Sequence, residues 1–437
     1  MTMTLDDSFL QDIVAHPDDD APRLVYADWL DEAGDAARGE FIRAQVAAAR
    51  LEAQEDAGDT LTTDERRRLE EATTRADALL DGPGRAWDAR VRRALVGYRY
   101  QRGFIEHVTL TASQFLSQGK GLLAQAPIRQ VRLEHGGMRV EEVAASPLLA
   151  ALTGLELAYW RMEEAGVVAL LSSPQLGGLT ALSLRCNNIG DKGVALVARS
   201  PHLAGLTRLD LGHNDVYVEG AAALAASPHL RRLRQLDLHF NELRHAGLVA
   251  LTRSPLLESV RDLDLGFNEI TDAGVLALAA VRGEPLTRLV LSHSELTDAG
   301  VRGLCHSDRL IDRLRHLELQ FNAIEDEGAA VLASAGLTHL RRLDLSKNRI
   351  GPTGTRALAA SADLAGLTHL DLESNPIGDR GAAALVASPH LTRLVRLTLG
   401  SSNVGVAGRE ASYGERQRPP QLAWRRRRVV AHVTPVH

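Results

Sequence analysis

Residues 206–214, Leu-Thr-Arg-Leu-Asp-Leu-Gly-His-Asn, contain the pattern that decides the fold, with leucine at 206, 209 and 211 and asparagine at 214. The same spacing recurs along the chain at intervals of 26 to 28 residues. A glycine follows six residues after each ninth position, from Gly193 to Gly408. A period of this length is typical of stacked structural repeats. The ninth position is occupied by Asn187, Asn214, Asn241, Asn268, Ser294, Asn322, Asn348, Asn375 and Ser402.

Each repeat reads as a strand followed by a helix. The alternation at residues 209–211 predicts a short strand with leucines inward and polar side chains outward. Residues 220–227 are alanine-rich with apolar residues at helical spacing, and Pro228 stops the helix. Because one coil cannot bury its apolar face alone, its neighbours must stack on it. The sequence therefore predicts an α/β solenoid with a parallel inner sheet and outer helices, beginning near Gly103.

The asparagines require a separate explanation. A turn that leaves a strand exposes backbone N–H and C=O groups, and a carboxamide offers both donors and an acceptor to satisfy them. We expect the asparagines of successive coils to form a structural ladder. Its members are Asn187, Asn214, Asn241, Asn268, Asn322, Asn348 and Asn375.

The repeat frame over residues 103–408 resembles the leucine-rich repeat, and its period with a full helix per coil resembles the ribonuclease-inhibitor type. The resemblance implies a right-handed horseshoe with a parallel sheet inside and helices outside. It also implies protein recognition on the concave face. The composition agrees with thin, similar layers, because aromatic residues make up only 4% of the chain and the core must be filled by aliphatic residues.

The N-terminal segment has a different pattern. Apolar residues at helical spacing, interrupted at Pro17 and Gly34, predict a small helical domain over residues 5–50. We expect Val25 to face its core and residues 18–20 to cap its second helix. The segment resembles the repeat-companion domain of many bacterial proteins that carry repeat arrays, a resemblance that adds architecture and no chemistry. The matching residues are His16-Pro17, Asp18, Asp20, Arg23, Tyr26-Ala27-Asp28-Trp29-Leu30 and Gly39-Glu40-Phe41-Ile42.

Two charged segments flank the array. Residues 51–102 predict a helical connector, with Thr62 and Glu65 forming a capping box. Residues 409–437 lack the leucine frame and include the basic cluster 425–428. Three explanations of this last segment stay open: a disordered basic tail, a nucleic-acid or membrane-surface patch, or a shifted reading frame.

No motif for catalysis, a cofactor or a metal is found in the sequence. Cys186 and Cys305 have no histidine or aspartate partner identifiable by motif, and the phosphate-binding loop and the serine-nucleophile elbow are both missing. The histidines follow the repeat frame, which favours surface or structural roles. The N-terminus lacks the pattern of a signal peptide, and no apolar run is long enough to span a membrane. We therefore expect a cytoplasmic protein that is not an enzyme.

One outward strand position is mostly acidic. It holds Glu156, Asp210, Asp237, Asp264, Glu318, Asp344 and Asp371, and a second outward position two residues earlier is partly basic. The striping would steer and orient a charged partner. The alternative is that aspartate is common in this frame and is neutralised by its neighbours.

The position just before the asparagine is enriched in aromatic side chains. Large apolar groups on an exposed edge are candidate contact residues. The alternative is that each ring packs over the turn below it. The candidates are Tyr159, Phe240, Phe267 and Phe321, with His213 and His293 in the same register.

These observations predict a protein–protein interaction scaffold or recognition module that binds on the concave face. The alternative is a regulator of a partner enzyme, of the inhibitor or GTPase-activating type, as the resemblance implies. We expect a protein partner, no cofactor, no nucleic acid, no membrane, and a monomer.

Overall fold

The computed structural model describes residues 4–56, 61–135, 139–400 and 402. The predicted end of the array at Gly408 and the basic segment 409–437 lie outside the described residues. The chain divides into two units, Met1–Asn187 and Asn188–His437. Among the described residues, no helix combines the length and the apolar character needed to cross a membrane.

The first unit begins with helices and continues with strands that alternate with helices. Its helices are α1 Leu5–Ala15, α2 Ala21–Ala33, α3 Ala36–Asp56, α4 Thr63–Asp81, α5 Ala89–Arg92, α6 Ala112–Leu123, α7 Val140–Ala144 and α8 Glu163–Leu171. Its strands are β1 Gly97–Gln101, β2 Phe104–Thr111, β3 Gln130–Glu134, β4 Gly154–Glu156 and β5 Ala181–Ser183. Short 3-10 helices span Pro83–Ala86, Pro147–Ala151 and Pro174–Gly178.

Helices α1 to α3 pack around a common apolar core. Ile13, Tyr26, Ile42 and Phe104 are buried in it. Val25 lies on the opposite side of α2 and is exposed, contrary to the expectation from its position, because the face turned inward carries Tyr26 and Ala27 instead.

The start of α2 also differs from the expected cap. The Asp20 side chain makes no capping bond. It accepts a hydrogen bond from Arg50 at 2.8 Å instead. Asp19 Oδ1 accepts from the backbone N–H of Ala21 at 2.8 Å, so the neighbouring aspartate satisfies a helix-start donor.

Residues 51–102 contain α4, which packs against α3. Thr62 and Glu65 form the expected capping box, each side chain accepting from the other residue's backbone N–H. Arg75 of α4 donates two hydrogen bonds of 2.6 Å to Glu40 of α3. Helix α3 itself continues to Asp56, so residue 50 lies inside a helix.

A buried ion pair joins the helical segment to the first strands. Arg23 of α2 is fully buried and lies 2.8 Å from the carboxylate of Glu106 in β2. Arg102 donates to Glu106 at 3.0 Å and to the carbonyl oxygen of Pro17 at 2.8 Å. The positive φ of Gly103 brings its backbone against Ile42, where a Cβ would come within 2.6 Å of that side chain. Three residues of the N-terminal motif, Pro17, Arg23 and Ile42, thus contact residues 102–106 at the start of β2.

The strands of the first unit follow one another in chain order. β1 and β2 form an antiparallel hairpin, and β2 to β5 pair in parallel. The frame predicted near Gly103 corresponds to β2. Strand β1 was not predicted, because it lies before the first copy of the repeat.

The second unit is built from coils of strand and helix. Its strands are β6 Arg208–Asp210, β7 Gln235–Asp237, β8 Asp262–Asp264, β9 Arg288–Val290, β10 His316–Glu318, β11 Arg342–Asp344, β12 His369–Asp371 and β13 Arg396–Thr398. Its helices are α9 Gly190–Arg199, α10 Val218–Ala225, α11 Arg244–Thr252, α12 Thr271–Ala279, α13 Asp298–Cys305, α14 Asp308–Ile311, α15 Asp326–Ala333, α16 Pro352–Ala360 and α17 Gly378–Val386. Short 3-10 helices span Pro201–Leu203 and Pro255–Glu258.

The leucine frame explains this architecture. The central residue of each strand is a leucine that is buried against the helix layer, as Leu209, Leu236 and Leu263 show. Strands β6 to β13 pair in parallel and in register, each with the next in sequence. The predicted α/β solenoid with a parallel sheet is confirmed.

The asparagines connect neighbouring coils. Asn241 Oδ1 accepts from the backbone N–H groups of Asn214 and Val216, both at 3.0 Å. Its Nδ2 donates to the carbonyl oxygens of Leu211 in the preceding coil and Leu238 in its own. The same bond to the preceding coil joins Asn268 to Leu238, Asn322 to Leu291, Asn348 to Leu319 and Asn375 to Leu345.

Asn187 makes the same bond to the preceding coil, and Ser294 does not. In the first unit, Asn187 donates to the carbonyl oxygen of Leu157 at 2.8 Å. Asn214 is buried and donates to the carbonyl oxygen of Gly212. The hydroxyl of Ser294 donates to the carbonyl oxygen of Ser292 within its own coil, whereas that of Ser402 donates to Leu372 in the preceding coil.

Candidate functional site

The acidic side chains at the third residue of each strand form a line across the second unit. Register pairs Asp210 with Asp237 and Asp237 with Asp264. Adjacent strands lie about 4.8 Å apart, so these carboxylates are close neighbours. Val290 interrupts the line between Asp264 and Glu318. We call Asp210, Asp237, Asp264, Glu318, Asp344 and Asp371 the acidic row.

The aspartates of the acidic row also have a local structural role. Asp210 Oδ1 accepts from the backbone N–H of Gly212, two residues later, at 2.9 Å. Equivalent bonds form at Asp237, Asp264, Asp344 and Asp371. The turn after each strand therefore favours aspartate, but the negative charge remains on the strand surface.

Arg288 neutralises part of this charge. Its guanidinium lies 3.2 Å from Asp262, 3.4 Å from Asp264 and 3.1 Å from Glu318. Burial and the charge of Asp237 nevertheless raise the pKa of Asp264 to about 6. Asp262 and Asp264 thus share one guanidinium with Glu318.

Histidines in the first strand position add no positive charge at neutral pH. Burial and the neighbouring Arg342 lower the pKa of His316 to about 4. Burial and Arg342 also lower the pKa of His369. A shallow groove at this end of the unit is lined by Arg342, Asp344, His369, Asp371 and Arg396, where both signs of charge alternate.

His239 lies beside the acidic row, next to Asp237. Its Nδ1 lies 2.5 Å from Asp237 Oδ1, and ligand-capable atoms of Asp210, Asp237 and His239 lie within 4.8 Å of one another. The ring rests over Gly212, where a Cβ would be only 2.5 Å from it. Carboxylate and imidazole groups can ligate a divalent cation. The hydrogen bond to Asp237 accounts for this geometry, so we assign no metal.

Aromatic rings from successive coils stack beside the acidic row. The centroids of Phe240 and Phe267 are 4.0 Å apart, and those of Phe267 and His293 are 4.9 Å apart. Phe240 is 45% and Phe321 41% exposed. Lys347 Nζ lies 4.1 Å from the Phe321 ring centroid. We call His213, Phe240, Phe267, His293 and Phe321 the aromatic ridge.

The backbone at the ridge does not favour large side chains. Every ridge residue has a φ between 48° and 59°, in the left-handed region that disfavours bulky residues. Cys186, Lys347 and Ser374 hold the equivalent position with the same backbone sign and no ring. The turn therefore does not require an aromatic residue.

His239 joins the two features. Its ring meets the Phe240 ring edge-on at a centroid distance of 5.7 Å while its Nδ1 contacts Asp237. The acidic row and the aromatic ridge are thus contiguous at β7. The sequence predicted each line of residues but missed His239, Asp262 and Lys347, because each of them departs from its column's dominant residue type.

Two predicted contact residues lie in the first unit. Glu156 pairs with Arg132 of the neighbouring strand at 3.3 Å. Tyr159 has a φ of 64° and is 67% exposed. These residues are described with that unit alone.

Comparison with known families finds a match to seven segments of the chain. The family model described as "Leucine Rich repeat" matches residues 179–198, 204–225, 257–279, 284–305, 314–333, 336–359 and 367–386. No curated protein matches the chain in sequence.

Several solved structures resemble this one. An internalin from Listeria monocytogenes is 21% identical, covering 66% of this chain and 71% of its own, with a TM-score of 0.41. A plant ice-binding protein is 20% identical over 46% of this chain and 67% of its own, with a TM-score of 0.27. A complex of Latrophilin 3, Unc5D and the leucine-rich repeat part of FLRT2 contains a chain that is 16% identical, over 58% of this chain and 76% of its own, with a TM-score of 0.33.

Proposed function

We propose that this leucine-rich repeat protein is a non-enzymatic protein-binding module, a scaffold or recognition protein. Its partner contacts the strand face, defined as the outward side chains of β6 to β13 together with the aromatic ridge, which is the face predicted to be concave. The observation that carries the proposal is the exposure of Phe240 and Phe321 in a ring stack adjoining the acidic row.

The aromatic ridge supplies the apolar part of such a surface. Exposed aromatic residues that lie together are typical of the energetically dominant contacts in protein interfaces. The rings are already ordered by stacking, so binding would cost little additional side-chain entropy. Their left-handed backbone conformation disfavours bulky side chains, so the local structure does not explain why rings occur at these positions.

The acidic row supplies the polar part. Charged residues around an apolar centre accelerate association and exclude partners of the same charge. Single exposed ion pairs contribute little to stability. We attribute the recurrence of an acidic residue at this strand position jointly to its turn-forming bond and to partner recognition.

The absence of catalysis remains part of the proposal. Burial raises the pKa of the Cys305 thiol to about 12, which leaves it protonated and a poor nucleophile at neutral pH. The narrower roles of enzyme inhibitor or GTPase-activating protein, the cytoplasmic location and the monomeric state rest on the sequence and its resemblance alone.

Site-specific photocrosslinking tests the proposal. A benzoylphenylalanine at position 240 is expected to capture a protein partner in lysate from the native organism. The same probe at Leu276, an exposed apolar residue on α12, serves as the control. Capture should fall about tenfold when Phe267 and Phe321 are also changed to alanine. Equal capture from positions 240 and 276 would contradict the proposed surface.

A further inference from the structure

We infer that the partner presents a segment combining arginine or lysine with apolar side chains, and that its cations bind at β6 to β8 beside Phe240. This inference rests on the proposed function and specifies the chemistry of the partner. Three observations carry it: the uneven distribution of charge along the strand face, the contact between the acidic row and the ridge, and the length of the ridge.

Charge is unevenly distributed along the strand face. The outward positions of β6 to β8 hold four carboxylates, Asp210, Asp237, Asp262 and Asp264, against the single cation Arg208. Arg288 on the next strand shares its guanidinium between this group and Glu318.

The opposite end of the strand face is balanced. Strands β11 to β13 carry Asp344 and Asp371 against Arg342 and Arg396. Lys347 lies over the terminal Phe321 ring and adds a cation at that end of the ridge. A cationic segment is therefore attracted more strongly to β6 to β8 than to this end.

Carboxylates of neighbouring strands face each other at β7 and β8. Asp264 faces Asp237 on the adjacent strand, and their mutual repulsion adds to burial in raising the pKa of Asp264. His239 and Arg288 both counter this effect and do not cancel it. A guanidinium or ammonium from a partner would relieve this repulsion.

The ridge determines what else the segment carries. Because the faces of Phe240 and Phe267 cover each other, the exposed parts of these rings are largely edges, which suit apolar contact. The ridge crosses five strands, β6 to β10, a distance of about 19 Å at the usual strand spacing. An extended peptide of about six residues spans that distance. A lone metal ion or polyamine would leave the ridge uncovered, and a nucleic acid would place phosphates against the carboxylates.

Selection of random peptides on the full-length chain tests the inference. We expect enriched peptides to contain arginine or lysine together with apolar residues. Replacing those cations with glutamine in a selected peptide should weaken binding about tenfold or more, and added salt should weaken binding of the original peptide.

Matched variants locate the site. Asp210→Asn with Asp237→Asn removes charge at β6 and β7 while keeping an oxygen for the turn bond, and should weaken binding about tenfold. Asp344→Asn with Asp371→Asn makes the same change at the balanced end and should alter affinity less than about threefold. Thermal unfolding of each variant shows whether it is folded.

The remaining outcomes overturn the inference. Enrichment of neutral or acidic peptides that compete with the crosslinked partner would refute the cationic specificity and leave the proposed function standing. Equal weakening by both double variants would place the site elsewhere. Loss of binding in EDTA would make the cluster at Asp210, Asp237 and His239 a metal site instead. Failure to select any peptide, with no crosslinking from position 240, would refute the inference and the proposed function together.

Discussion

The Phe240 and Phe267 rings, from consecutive coils, stack with their planes inclined by 9° and their centroids 4.0 Å apart. Both residues have a left-handed backbone, with φ of 50° and 57°. An unfavourable backbone is thus combined with a favourable ring contact. If the backbone strain nearly offsets the energy of the ring contact, the rings are not needed to stabilise the turn, and a role in binding is the better explanation for them.

Replacing Phe240 with asparagine tests that balance. Asparagine tolerates the left-handed region, which relieves about 1–2 kcal/mol of strain. Phe240 contacts three rings, those of His213, His239 and Phe267, and each lost pair costs about 0.5–1.5 kcal/mol. We expect the free energy of unfolding in urea to fall by less than about 3 kcal/mol, while partner binding falls. Ser374→Asn, at the same backbone position without a ring, is the control and should be neutral or slightly stabilising. A loss above about 3 kcal/mol for Phe240→Asn would show instead that the ring is needed to pack the turn.

Asp264→Asn should make the protein more stable at neutral pH. The pKa of Asp264, raised to about 6 from an ordinary value near 3.8, means that the folded state holds the proton more tightly than the unfolded state. Its contribution to stability is therefore complete below about pH 4 and is lost as the pH rises through 6. The variant should exceed the wild type by roughly 1–3 kcal/mol at pH 7.5 and match it near pH 4. Urea denaturation at both pH values measures the difference, and a variant less stable than the wild type at pH 7.5 would contradict the prediction.

An asparagine of the ladder should contribute more to the free energy of unfolding than the serine at position 294 does. Asn241→Ala removes a carboxamide that serves backbone groups of two coils. We expect a loss of about 1–3 kcal/mol, because those buried groups lose their partners. Asn268→Ala should behave alike. Ser294→Ala is the matched control and should cost less, since its hydroxyl bonds within its own coil. Equal losses in equilibrium denaturation would mean that the connection between coils adds nothing.

The sequence predicted what repeats within one coil. The spacing of Leu209 and Leu211, the helix that follows and the proline stop all concern residues close in sequence, where periodicity is informative. The parallel sheet followed because identical coils can bury their leucines only by stacking.

Apart from the asparagine ladder, contacts between residues of adjacent coils were not predicted. Asp326 Oδ1 accepts from the backbone N–H groups of Gly351 and Gly354 at 2.7 and 2.8 Å. A Cβ on Gly354 would come within 2.8 Å of the same oxygen, and an aspartate crowds Gly220, Gly300 and Gly328 in the same way. Ser254 similarly donates to the carbonyl oxygen of Ala225, so the serine before the proline stop has its own role.

The candidate site was predictable only in part for the same reason. Sequence register placed Phe240, Phe267 and Phe321 in one line, but ring stacking depends on side-chain rotamers and on the distance between coils. The charge imbalance required knowing that Arg288 reaches both Asp262 and Glu318 on its two neighbouring strands.

The buried pair of Arg23 and Glu106 should control the docking of the helical segment. Arg23 is fully buried, and Glu106 is nearly so. Burial lowers the pKa of Arg23 and raises that of Glu106, and the opposite charge of each partner counteracts both shifts. Glu106→Ala would leave a buried guanidinium without its carboxylate, at a cost of about 3–5 kcal/mol. The double variant Arg23→Met with Glu106→Leu removes both charges and should recover most of that loss. Hydrogen exchange provides the local measurement: amides of α2 should exchange faster in Glu106→Ala, while those of β7 to β12 stay unchanged. Equal protection of α2 in the single variant and the wild type would show that this ion pair does not hold the helices to β2.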